Sequence, residues 1–218
     1  MTDETAPKRG EEESPVYLRP LTEEDAEIAY AWWRDPIVQG LSGAPLGPRD
    51  PEEFRRFFVE RYVRPNPRRI AAGIVVKETG KLIGLCVAHI DPDFREAEYG
   101  IKIGDRSSWG KGYGTAATRA FVDQVFETTD IDSIYGLVEL TNERAKRTLI
   151  SAGFRICCLL YNREFLRVDL TRYEWECDKR RQAQAAPSPS RAGGTASANN
   201  TNPHEWGTAS TNNTNPHE

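Results

Sequence analysis

The sequence predicts one α/β domain over residues 16–178, flanked by a short tail, 1–15, and a longer one, 179–218. Three observations carry that prediction. Residues 70–77 and 82–90 are apolar runs joined by the turn Glu78-Thr79-Gly80-Lys81, the pattern of a β-hairpin. Residues 98–103, with apolar Tyr99, Ile101 and Ile103, lead through Gly110, Gly112 and Gly114 into a segment, 116–126, whose apolar Ala117, Ala120, Phe121 and Val125 have helical spacing. After that helix the chain alternates again, with a strand at 131–140, a helix at 142–152 stopped by Gly153, and two closing strands.

The elements follow in order. Residues 1–15 are charged and rich in small residues, a composition that buries too little to order itself. Residues 16–21 read as a first strand. Thr22-Glu23-Glu24-Asp25 resembles a capping box and opens a helix through Arg34, with Ile28 and Trp32 four apart. Asp35-Pro36 ends it, and 40–48 is a loop. Asp50-Pro51-Glu52-Glu53 is a helix start, with a cap, a proline in the first turn and acids on the dipole. Phe54, Phe57, Phe58 and Tyr62 then mark one face, as core or pocket wall. Arg55, Arg56, Arg61, Arg64, Arg68 and Arg69 make a local basic patch diluted by Glu52, Glu53 and Glu60. A solvated face is its default reading, and an acidic partner the rival one. The last two strands are expected at 154–161 and 165–177. In the second, the alternation Leu166, Val168, Leu170 changes phase to Tyr173, Trp175, Cys177, and a bulge near Thr171 would account for it. Beyond Lys179 the chain turns to Ala, Ser, Pro, Gly, Thr and Asn and nearly repeats GTASANNTNPHE as GTASTNNTNPHE, so a chain ending near Lys179 is expected to keep its fold. Asn199 and Asn212 stand in N-x-T sequons that only a secretory context would use.

Composition narrows the function. A net charge of −4 argues against general nucleic-acid affinity. Cys86, Cys157, Cys158 and Cys177 show no C-x-x-C spacing and His89 is the one histidine of the domain, so no metal site is expected. Core cysteines in a reducing cytosol, no apolar leader and no run of roughly 18 apolar residues together give a cytoplasmic protein without membrane association as the expectation.

The glycine-rich turn before a helix is a candidate phosphate or pyrophosphate cradle, because first-turn N–H groups are unpaired and the helix dipole favours an anion. It fails as a Walker loop, since Lys111 is followed by Gly112 and Asp105 stands where the first glycine belongs. Gly112, Gly114 and Ala117 satisfy G-x-G-x-x-A literally, but too few strand–helix units follow to build a dinucleotide fold. Tight packing alone is a further explanation of such glycines. The third cradle is carried by three phrases in order: AEYGIKI at 97–103, WGKGYG at 109–114 and NERAKRTLISAGF at 142–154. Together they resemble the GNAT acetyltransferases, in the RimJ/RimL branch, over about residues 16–177. Trp109 replaces the usual Gln or Arg at the head of the acyl-CoA loop.

That resemblance implies a single GNAT-like domain, with a mixed, mostly antiparallel central sheet flanked by helices and a strand that splays from its neighbour just before the CoA loop. It implies acetyl-CoA as co-substrate and a primary amine as acceptor. A protein N-terminal α-amine is the favoured acceptor. Small amines (polyamines, amino sugars, aminoglycosides) and a CoA-binding module without catalysis are the alternatives. Ile101 and Ile103 would lie along the acyl arm. Trp109, Gly110, Lys111, Gly112, Tyr113, Gly114 and Thr115 would wrap the pyrophosphate, and Asn142 would contact CoA beyond it. Glu98 is the candidate general base, with a plain surface glutamate as its rival reading. The helix tyrosine that usually protonates the leaving thiolate falls at Leu149, which leaves the general acid open; Tyr135, Cys157 and Tyr161 are the places to look. The amine pocket is expected between loop 40–48 and the flanking helices, with Trp32 and Phe58 in its wall. A homodimer is an assembly the resemblance allows.

Overall fold

Strand alternation sorts the apolar residues of the sheet into two cores, one on each face. In the computed structural model, which describes residues 14–41, 47–160 and 164–185, strand β2 (Arg69–Val76) sends Ala72, Ile74 and Val76 to one face and Ala71 and Val75 to the other. A period of two makes such a two-sided strand. The sheet has seven strands in the order β1-β2-β3-β4-β5-β7-β6. Besides β2 these are β1 (Val16–Arg19), β3 (Leu82–Asp91), β4 (Glu96–Ile103), β5 (Ser133–Glu139), β6 (Arg155–Leu160) and β7 (Phe165–Thr171). All neighbours are antiparallel except β4 and β5. This is the mixed, mostly antiparallel sheet that the resemblance implied.

On one face lies α4 (Tyr113–Thr128), which buries Ala117, Phe121, Val122, Val125 and Phe126. Beside it α5 (Glu143–Ala152) buries Leu149. On the other face α1 (Asp25–Arg34) and α3 (Pro51–Phe58) close an aromatic core of Trp32, Trp33, Phe54, Phe58 and Tyr62. A π-helical turn, Val59–Val63, extends α3 and brings Tyr62 onto the Phe58 ring at 5.3 Å. The Phe54–Tyr62 stripe is therefore core, apart from half-buried Phe57.

Local chemistry sets the helix starts. Asp25 returns to the Thr22 N–H at 2.8 Å, half of the capping box, and its carboxylate grips Arg19 of β1 through two bonds of 2.6 and 2.7 Å. Asp35 both ends α1 and opens a short helix, α2 (Pro36–Gln39), by accepting from the N–H groups of Ile37 and Val38. The expected break at Asp35-Pro36 is thus a cap with proline at the first position. Asp50 caps α3 in the same way through Glu53 N–H.

The end of the domain differs from expectation. β7 stops at Thr171, and residues 172–177 are helical, within α6 (Arg172–Ala185). The phase change is a change of period, from strand to helix, rather than a bulge. Its cause is a complete capping box: the Glu174 carboxylate accepts from Thr171 N–H at 3.1 Å, and Thr171 Oγ1 accepts from Glu174 N–H at 3.2 Å. Arg172 then donates to the carbonyls of Phe126, Thr129 and Ile131, closing the C-terminal end of α4, which has no basic residue in its own last turn. Trp175 packs on Phe126 with ring centroids 5.2 Å apart, and its Nε1 donates to Asp123; Lys179 reaches the other oxygen of that carboxylate.

Residues 172–185 therefore belong with the sheet and α4. Trp175→Ala is expected to lower unfolding free energy by about 2 kcal/mol, below the ~3–5 kcal/mol of a fully buried tryptophan because this one is half-buried. Urea denaturation checks it, and an unchanged midpoint would show that α6 contributes nothing to the fold.

Candidate active site

β4 and β5 are held together at three positions only, Glu96↔Ser133, Ala97↔Ile134 and Glu98↔Tyr135. Beyond Glu98 they part. β4 stays paired with β3 along its whole length, and β5 with β7 along its own. The gap between them is thus held open from both sides. Gly104 N–H bonds to the Ile83 carbonyl on β3, so strand alternation turns the N–H groups of Ile101 and Ile103 the other way, into the gap.

The chain that leaves β4 is fixed at once. Trp32 lies against Gly104 so closely that a Cβ there would be 2.0 Å from its ring. Asp105 caps a single 3₁₀ turn (Arg106–Ser108) and takes a salt bridge from Lys81 at 2.7 Å. Trp109 then folds back, its Nε1 donating to the Ile103 carbonyl at 2.8 Å, while Arg144 of α5 stacks on its ring at 3.8 Å. Tryptophan at the head of the loop thereby ties loop, strand and α5 together.

Gly112, with φ 78°, is the N-cap of α4, and no side chain caps that helix. The first turns of α1, α3 and α5 carry acids; that of α4 carries none. Its leading N–H groups and positive dipole end are left for an external anion. A Cβ on Gly110 or Gly112 would meet nothing within 4 Å, so both glycines face open space. An uncapped helix end beside bare glycine backbone, at the mouth of a strand gap, fits the pyrophosphate and acyl arm of acetyl-CoA.

At that mouth is a cavity of about 90 Å³, room for several water-sized groups. Of the residues expected from the sequence, Ile101, Ile103, Trp109, Gly114 and Asn142 line it. Gly110, Lys111, Gly112, Tyr113 and Thr115 form the loop and first turn beside it. Val38 and Leu41 close it from α2 and the chain after it, and Thr148 from α5. Loop residues 42–46 and Tyr161 lie outside the described residues. Trp32 and Phe58 are core residues, 7% and 0% exposed, and neither is among the residues that line this cavity. Asn142 has both ends of its side chain engaged: Oδ1 caps α5 through Ala145 N–H, and Nδ2 donates to the Leu41 carbonyl. It organises the cavity wall.

Glu98 is exposed and sits at the closed end of the gap, outside the cavity lining. Lys102 lies four residues farther along, about 13 Å at ~3.3 Å per residue. Across the strands Glu98 faces His89 and Tyr135. Burial and then the nearby Arg61 guanidinium hold His89 below its usual range, so it is a neutral imidazole near pH 7. Burial and then the Glu98 charge push the Tyr135 phenol up, and Arg167 lies 4.0 Å over its ring. Cys157 is a thiol pushed up to about 11, first by its hydrogen bond to Asp169. Leu149 is 4% exposed and packs over Gly136 of β5; the side of α5 that meets the cavity is one residue earlier, at Thr148. A side chain at 149 therefore points into the core.

Two residues escaped the sequence reading. His89 lies beside Glu98 only because β3 pairs with β4 in this register. Lys102 is 6% exposed, and lines the cavity. Its Nζ donates to Gln39 Oε1 at 2.9 Å and sits 3.8 Å over the Trp33 ring. Neither partner carries negative charge, and burial lowers its pKa to about 7. A lysine in a strand of alternating apolar residues gave the one available hint.

The sequence profile of the acetyltransferase (GNAT) domain matches residues 16–155. The chain belongs to the GNAT acetyltransferase family. It is an acyltransferase that uses acetyl-CoA. The chain is 29% identical over 143 residues to an uncharacterized N-acetyltransferase, p20, of Bacillus licheniformis, covering 63% of this chain and 78% of that protein. Solved structures with this fold include the spermidine N-acetyltransferase of Vibrio cholerae in complex with CoA and spermine (TM-score 0.66, 18% identity, 75% of this chain and 99% of that one). An aminoglycoside acetyltransferase, AAC(6')-Ib, in complex with coenzyme A is similar to the same extent (TM-score 0.63, 20% identity, 75% and 99%). Among the described residues no helix is long and apolar enough to cross a membrane, and no cluster of His, Cys, Asp and Glu could hold a metal ion.

The Lys102 environment sets a pH dependence of stability. In the unfolded chain this amine titrates near 10.5, in the folded chain at about 7. Below pH 7 both states are protonated and the fold bears the full cost of a buried cation. Between pH 7 and 10.5 the unfolded state binds more protons, so this cost fades as pH rises. Lys102→Met, of similar length, is expected to stabilise the protein by about 2 kcal/mol at pH 6, with the advantage closing towards pH 10. Equal gains at both ends, measured by denaturation, would show that the amine is not buried as a cation.

Proposed function

We propose that this acetyltransferase modifies a protein N-terminal α-amine, as a RimJ/RimL-like enzyme. The supporting observation is the charge around the gap on the side away from α4. Glu96, whose charge also acts on Tyr135, and Asp169, which pairs with Tyr135 across β5 and β7, are both spent on Arg167, at 2.8 Å each. Arg61 and Arg69 act on His89 beside Glu98. A polycationic acceptor needs several uncompensated negative charges, and Arg167 neutralises two of the three carboxylates here, leaving Glu98. An α-amine also ionises near 8, against about 10.4 for an alkyl amine, so it needs less help to lose its proton at neutral pH.

In this reading acetyl-CoA supplies the electrophilic thioester carbonyl. The loop from Trp109 to Thr115 holds its pyrophosphate on the bare N-terminus of α4, with Gly114 and Asn142 shaping the wall behind. The N–H groups of Ile101 and Ile103 donate where negative charge develops on the carbonyl oxygen. Glu98 takes the amine proton through water, with neutral His89 beside it. No tyrosine is needed at position 149, because a thiol ionises near 8.5 and its thiolate departs without full protonation.

Small amines remain the second reading, supported by fold likeness to structures containing spermine or named for aminoglycosides. Turnover of a peptide panel with free N-termini, set against spermidine and kanamycin, separates the two. Peptides are expected to give the higher kcat/KM, and the reverse order would overturn the α-amine assignment. Glu98→Gln is expected to lower kcat/KM for the amine by about 10²-fold with acetyl-CoA affinity unchanged; normal rates across pH would remove Glu98 from the mechanism. Gly112→Asp puts a carboxylate in the pyrophosphate space, on a residue type that tolerates positive φ. It should abolish acetyl-CoA binding in calorimetry, while unchanged affinity would overturn the cradle.

A further inference from the structure

The side chain least explained by the reaction is Lys102. A lysine is almost never buried without an acidic partner. This one is buried at the wall of the acyl cavity, between Ile101 and Ile103, whose N–H groups face the strand gap. Its polar contacts are the Gln39 amide oxygen and the face of Trp33. Gln39 is itself fixed, its Nε2 donating to the Trp33 carbonyl. The amine is thus held by neutral groups that accept its hydrogens and cannot neutralise it as a carboxylate would.

We propose that Lys102 is an acetylation site of this protein, modified by the acetyl-CoA bound to the same chain. The proposal rests on the acetyl-CoA assignment above. The chemistry is aminolysis of a thioester. The Lys102 lone pair forms a C–N bond to the acetyl carbon, the C–S bond breaks, and the leaving thiolate takes up the proton that the nitrogen gives up. No oxidant or further reactant is required. Burial in neutral surroundings supplies the uncharged amine at neutral pH, which a solvated lysine does not. The product is an amide and therefore stable, so Lys102 is a terminal acceptor rather than a relay to another amine. Acetyl-lysine retains one N–H for Gln39, loses the cation over Trp33, and removes the cost of a buried charge. It also places the acetyl group in the cavity of about 90 Å³, so the modified chain competes with its own acyl-donor site.

The test is peptide mapping by mass spectrometry after the full chain is incubated with isotopically labelled acetyl-CoA and no amine acceptor. Calorimetry of acetyl-CoA binding is run on the same sample. One labelled acetyl group per chain is expected at Lys102, appearing at least roughly tenfold faster than at exposed Lys81 or Lys111, since proximity outweighs exposure in a bound complex. The preference should vanish in urea and in Gly112→Asp. Lys102→Met, of similar length and without a nitrogen, should remove the label. An unlabelled Lys102 in a chain that binds acetyl-CoA overturns the proposal and leaves the cofactor assignment standing. Absence of binding overturns both. Labelling of Lys102 at the same rate in urea overturns the claim that the fold directs it.

Discussion

The short parallel junction between β4 and β5 is the constraint on which the rest of the site depends. Three register pairs hold the two strands together. Each strand then follows a different, complete antiparallel partner, β3 on one side and β7 on the other. The gap is the consequence of two halves of one sheet, β1–β4 and β5–β7, sharing one short seam. It requires no flexible element to hold it open. Backbone groups that a regular sheet would pair are left facing a hole, and leaving such groups unpaired in a protein interior is costly. The chain offsets part of that cost internally, by turning Trp109 back onto the Ile103 carbonyl. The remainder is available to a ligand carbonyl.

Around this gap the protein distributes charge unevenly. Other helix starts carry a side-chain cap, as at Asp35, Asp50, Asn142 and the Thr171–Glu174 box, or acids in the first turn, as in α1. The N-terminus of α4 lacks both a side-chain cap and an acid. Lys102 lacks a carboxylate among its contacts. Both cost stability locally and both lie beside the same cavity, the pattern expected when function rather than folding selects a residue. The two cores that flank the sheet carry the stability. The aromatic one, from Trp33 to Tyr62, also supplies the ring on which the lysine sits.

Much of the architecture was legible from the chain, because it follows from short-range signals. The β2–β3 hairpin, the glycine loop opening α4, and α5 closing at Gly153 are set by periodicity, turn residues and caps within a few positions. The three ordered phrases pointed to the family, and Ile101, Ile103, Trp109, Gly114 and Asn142, five of the residues singled out on them, line one cavity. The end of the domain was misread although its signal was local. Thr171-x-x-Glu174 is a capping box, but the apolar alternation through Leu170 was carried on past it, and Tyr173 and Trp175 are as acceptable in a strand as in a helix.

What the sequence by itself determined is most of the elements and the family, since these are encoded by contiguous residues with a definite period or turn chemistry. The tertiary structure alone decided which side chains meet. The helix that the Thr171–Glu174 box starts is docked where it is because Arg172 and Trp175 find the end of α4, more than 40 residues back in the chain. Asn142 became a wall-organising cap because Leu41 arrives from the far end of the domain, 101 residues away. His89 stands beside Glu98 through strand register, and Lys102 lies buried over Trp33 because α1 crosses that face of β4. Such juxtapositions depend on long-range packing, which no local pattern records, and for Lys102 that packing changes the chemistry from a solvated cation to a buried amine.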